Sequence, residues 1–113
     1  MRITAAILLF VAAQGASADP PGDGRFNICR SKLLEAQKLH LFETLDWQPP
    51  AEPRLVVGRA FFNIGVGAKQ GFAETVSCFL TAGAPNEFVS FDLLDPRTGR
   101  VVGRFANRRL KMN

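Results

Sequence analysis

Few residue types in this chain could do chemistry: one histidine, His40, two cysteines, Cys29 and Cys78, ten carboxylates, and a terminal run of six cations, Arg97, Arg100, Arg104, Arg108, Arg109 and Lys111. A Ser–His–Asp or Cys–His site needs its base within hydrogen-bond reach of a nucleophile. No local motif around Ser31, Ser77 or Ser90 resembles one, and His40, at the end of a helical stripe, reads as a capping or structural residue. One histidine and two distant cysteines do not make a tetrahedral metal set, and the C-x-x-C spacing of a redox pair is missing. We expect no enzyme, no cofactor and no metal. Glu74, the one acid on an apolar strand parity, is either solvated near a strand end or a buried carboxylate with a raised pKa. Gly65-Val66-Gly67-Ala68-Lys69-Gln70-Gly71 has the texture of a phosphate-cradling loop without the P-loop spacing, and reads as a hairpin loop.

The cationic end is the strongest remaining feature. Residues 19–96 hold 7 basic and 10 acidic side chains, whereas 97–113 hold six basic and no acidic ones. Arg100 and Arg104 share a parity opposite Val101, Gly103 and Phe105, and Arg108-Arg109 prolong the stripe. Arg97, Arg100, Arg104, Arg108, Arg109 and Lys111 are therefore candidates for binding an anionic partner, such as lipid head groups, an acidic polysaccharide or an acidic protein surface. The same stripe also reads as a solvated face with a basic tail that aids solubility. Nucleic acid is not expected of an exported chain without an exposed aromatic ladder.

The first residues point to export. Arg2, an apolar run from Ile3 to Ala13 and the small residues Ala16-Ser17-Ala18 have the layout of a secretory signal peptide cleaved after Ala18. The run is too short to span a bilayer, which takes about 20 residues, so no transmembrane anchor is expected after cleavage. A periplasmic or secreted location makes a Cys29–Cys78 disulfide the default over two buried thiols.

The elements that must position these groups follow from the patterning. Residues 19–24 form a Pro/Gly/Asp-rich leader. From Arg25, the residues Phe26, Cys29, Leu33, Ala36 and His40 recur at helical spacing, and Pro49-Pro50 stops any continuation. Along Leu55 to Val66 the even positions are uniformly apolar, and Phe72, Val76, Cys78 and Leu80 again share a parity, which predicts two strands of a hairpin. A turn at Gly83-Ala84-Pro85-Asn86, a strand through Val89, Phe91 and Leu93, a turn at Asp95–Gly99 and a last strand Arg100–Ala106 complete the pattern. The expectation is a single α+β domain over 25–106, one N-terminal helix packed on a four-stranded antiparallel meander as a two-layer sandwich, with a basic tail over 107–113.

Val56 to Leu80, with Lys69-Gln70-Gly71-Phe72 running towards Cys78, resembles small exported or membrane-anchored bacterial domains of unassigned function. In those a Cys-bearing helix precedes a strand hairpin with a Gln–x–Gly–Phe-like loop and a later Cys. Trp47-Gln48-Pro49-Pro50 departs from the Ser/Pro-rich helix exit of that pattern. The resemblance implies helix-then-sheet order and the cysteine pairing, and carries no activity. The function expected is therefore a non-enzymatic binding or accessory module contacting an unknown protein or other envelope partner. The alternative is an envelope-associated structural protein docking to anionic lipid or polysaccharide through its basic C-terminal stripe.

Overall fold

The computed structural model describes residues 24–82 and 89–113; the residues expected to form a signal peptide, most of the expected leader and the turn expected at Gly83–Asn86 lie outside them. Helix α1, Gly24–Lys38, buries Phe26, Leu33 and Ala36, three of the five residues of the predicted stripe. It ends at His40, which takes the left-handed conformation at φ 63°. There the Leu41 N–H reaches back to the Ala36 carbonyl at 2.9 Å and the His40 N–H to the Gln37 carbonyl at 3.1 Å. This is a Schellman-type stop with histidine where glycine is usual, so His40 terminates the helix and stands exposed.

Strand β1, Phe42–Asp46, then pairs antiparallel with β2, Arg54–Val57. A five-residue 3₁₀ helix, Arg59–Asn63, leads into helix α2, Val66–Leu80. Strands β3 (Phe91–Leu94), β4 (Val101–Ala106) and β5 (Arg109–Met112) follow. The sheet runs in the order β1-β2-β3-β4-β5, antiparallel except between β2 and β3. That parallel pair requires a long crossover, and α2 supplies it. The domain is α+β, but the sheet has five strands and is mixed, not a four-stranded antiparallel meander.

Two expectations are corrected here. The hairpin predicted over 55–80 is half helix. Phe72, Val76 and Leu80 lie four residues apart, a spacing that satisfies a strand parity and a helical face equally well. Ala73 and Ser77, also buried, complete a helical face and settle the choice. Gly65 is the N-cap of this helix and Gly67 and Gly71 are exposed residues within it, so the three do not frame a hairpin loop. The second correction concerns 107–113. Asn107 and Arg108 have φ of 53° and 64°, both in the left-handed region, and form a two-residue turn of the I′ kind. Beyond it Leu110 and Met112 alternate with Arg109 and Lys111, and the supposed tail is strand β5.

The core lies between the sheet and the two helices. Phe42, Leu45, Leu55, Val57, Phe61, Phe91, Leu93 and Phe105 are almost wholly buried on the helix side. Phe61 meets Phe72 at 5.9 Å between ring centroids, tying the 3₁₀ helix to α2. Gly58 lies so close to the His40 carbonyl oxygen that no side chain fits between them, which locks the exit of β2 against the end of α1. Cys29 and Cys78 form a disulfide with Cα atoms 6.0 Å apart. The pairing is the expected one, but it joins helix to helix instead of helix to strand. Such a bond belongs to an oxidising compartment. No helix among the described residues is long and apolar enough to cross a membrane.

Candidate functional site

Both helices cover one face of the sheet, and among the described residues no helix covers the other face. Strand register places a row of charged residues across that open face: Asp46 opposite Arg54, Arg54 opposite Asp92, Asp92 opposite Arg104, and Arg104 opposite Lys111. Opposite charges directly across a ladder stabilise it, while the Arg104–Lys111 neighbours repel. The row thus ends in a positive margin at β4 and β5.

Arg104 is already engaged. Its guanidinium donates to both carboxylate oxygens of Glu52, at 2.9 and 3.0 Å, and to Asp92 Oδ1 at 3.0 Å. The Arg104 hydrogen bond holds the Glu52 carboxyl below its ordinary range, and the same two acids hold the arginine proton more firmly than usual. Because folded Glu52 releases its proton more readily than unfolded Glu52, this contribution is present near neutrality and is lost as the pH falls through the carboxylate range. Glu52→Gln is accordingly expected to flatten the acid limb of the stability curve relative to wild type, measured by thermal unfolding across pH. An unchanged acid limb would contradict the pairing.

The six predicted cations do not form one stripe. Arg97 and Arg100 sit on the β3–β4 turn, which Asp95 organises by accepting from the Arg97 and Thr98 N–H groups and the Thr98 hydroxyl. Those bonds, the Thr98 hydroxyl first, hold the Asp95 carboxyl below its usual range. Arg108 and Arg109 lie at the other end of β4, roughly 17 Å away at the rise of a strand. At that end Arg104, Ala106, Asn107, Arg109, Leu110 and Lys111 line an open concavity of about 480 Å³. Arg109 and Lys111 have no carboxylate partner among the described residues.

Sequence reasoning missed Gln70. Its side-chain amide donates to the Arg108 carbonyl at 2.9 Å and accepts from the Leu110 N–H at 2.8 Å, replacing the peptide group that a sixth strand would offer. It therefore closes part of the free edge of β5 and fixes the hairpin against α2. It also donates to Glu74, which is exposed on α2, so the solvated reading of Glu74 holds. The Lys69-Gln70-Gly71-Phe72 motif did single Gln70 out, but as a loop residue. Its partners lie 38 and 40 positions away, and no local pattern announces them.

Among the described residues no three His, Cys, Asp or Glu side chains gather as a metal site. What the concavity can do is attract and orient an anion: two uncommitted cations, a third fixed by its own acids, and the Asn107 amide. No protein-family model, curated protein or solved structure matches the chain.

Proposed function

We propose that the chain is an exported, non-enzymatic binding module that holds an acidic surface of a partner protein on the β4–β5 hairpin. The observation that supports this reading most is the uncommitted pair Arg109 and Lys111 in an open concavity, braced from behind by Gln70. A rigid hairpin on a disulfide-tied domain loses little freedom on binding. Charge complementarity of this kind sets partner choice and encounter rate. The open face gives the partner a broad strand surface beside the concavity, which suits a protein better than a small molecule. An acidic polysaccharide is the second reading, favoured by the open concavity and by the Asn107 amide in its lining.

The test is affinity capture from an envelope extract by wild type and by Arg109→Glu/Lys111→Glu, a variant that reverses both charges on solvent-facing strand positions. Partners retained by wild type and lost by the variant support the hairpin. Identical retention by both would remove it.

A further inference from the structure

Two acids share the Arg104 guanidinium, and they are not equivalent. Asp92 is the register partner of Arg104 on β3, so the strand ladder itself places its Oδ1 3.0 Å from Nη1. Glu52 belongs to no strand. It stands in the 47–53 connection between β1 and β2, yet meets a residue of β4, two strands away from the β2 that follows it. Its side chain is 55% exposed, against 34% for Asp92.

One guanidinium balances one carboxylate, so Glu52 is the surplus charge: without it Arg104 and Asp92 remain a neutral pair. An ion pair this exposed contributes little to stability, and exchanging Glu52 for another carboxylate costs correspondingly little. The geometry also defines what fits. Nη1 and Nη2 each donate to a different oxygen of Glu52, at 2.9 and 3.0 Å, the fork that a planar carboxylate accepts and that the point charge of a lysine cannot offer.

The fork is contiguous with the hairpin surface. Arg104 lines the same concavity as Arg109 and Lys111, and Lys111 is its register partner on β5. A partner acid attracted by Arg109 and Lys111 is therefore one strand spacing, about 4.8 Å, from the fork.

From these contacts we infer that the Arg104 fork is a carboxylate-binding site, filled by Glu52 in the free protein and taken over on docking by an aspartate or glutamate side chain of the partner, a step that rests on the hairpin reading. Arg109 and Lys111 attract the acid, and the fork reads its planar, two-oxygen shape. Asp92 keeps the guanidinium in place while two N–H···O bonds to Glu52 are exchanged for two to the incoming carboxylate. Glu52 is thus an internal competitor, and apparent affinity falls with the fraction of molecules in which the fork is free.

The test is fluorescence anisotropy of a labelled oligo-glutamate peptide titrated with the protein at neutral pH and about 0.1 M salt, where distant charges are largely screened. Glu52→Ala is expected to bind the peptide about fivefold tighter than wild type, the upper reach of an exposed ion pair. Glu52→Gln, which keeps the size of the side chain, should shift binding in the same direction. Glu35→Ala makes the same charge change at an exposed position of α1 and should alter affinity by less than about twofold. Arg104→Lys keeps the charge without the fork, and in that background Glu52→Ala should gain less than about twofold. A Glu52→Ala gain no larger than that of Glu35→Ala, or one that Arg104→Lys leaves undiminished, would overturn the inference. Arg109→Glu/Lys111→Glu separates this site from the reading beneath it. If that variant loses the peptide while Glu52→Ala has no effect, the hairpin stands and the fork falls; if it binds as wild type does, the hairpin reading falls and the fork with it.

Discussion

Replacing Cys29 and Cys78 together by alanine is expected to lower the unfolding free energy by about 4 kcal/mol, the loop-closure value for a bridge that spans 49 positions. A domain of this size has only about 5–15 kcal/mol in hand, so the loss removes much of its margin. The bond ties α1 to α2, the two long helices among the described residues that cover the sheet. Stacking of Phe26 on Phe79 at 5.8 Å supports the same helix pair, so the reduced domain retains some of its helix packing. Urea unfolding of wild type and of the double variant checks this, with reductant as a second arm that should reproduce the variant. A difference below about 1 kcal/mol, the scale of an ordinary surface change, would mean that the helices hold together without the bond.

The second large effect is at Phe61. Phe61→Ala is expected to cost about 3–5 kcal/mol, the range for deleting a buried phenylalanine ring. Its ring has no exposed surface and meets both Phe72 and Phe62. Phe62→Ala should cost clearly less, about 1 kcal/mol, because its side chain is 43% exposed and meets the Phe61 ring edge-on. Urea unfolding of the two variants measures the contrast. It also separates two structures for this segment. A strand with the even positions inward, as the alternation Val56, Gly58, Ala60, Phe62 reads, would make Phe62 the costly position and Phe61 the cheap one. The 3₁₀ helix reverses the order.

That reversal shows why some of the fold was legible and some was not. Helix α1 could be read because Phe26, Leu33 and Ala36 satisfy only the helical period. Strands β3 and β4 could be read because Phe91 and Leu93, then Gly103 and Phe105, alternate between clear turn residues. Helix α2 could not, since spacing by four is common to both periods and the residues that break the tie, Ala73 and Ser77, are small and weakly apolar. Its exposed glycines argued for a loop, and tertiary packing of the opposite face outweighs their poor helix propensity. Strand β5 was overlooked because Asn107-Arg108 lacks the glycine that usually marks such a turn.

The site shows the same division. The six cations were visible as a run, but which of them are committed depends on Glu52 and Asp92, which are 52 and 12 positions from Arg104. The run separates into two groups because β4 lies between them. Only the fold distinguishes Arg97 and Arg100, which sit on the β3–β4 turn, from Arg109 and Lys111, which line the concavity.

The most direct measurement of the proposed function is quantitative capture from an envelope extract at low and high salt, comparing wild type with Arg109→Glu/Lys111→Glu. Wild type should retain a defined set of acidic proteins at low salt and release it at high salt. The variant should retain at least about tenfold less, as expected when like charges are set against each other at an interface. Retention of the same proteins in the same amounts by both would contradict the proposal that the β4–β5 hairpin is where this domain binds.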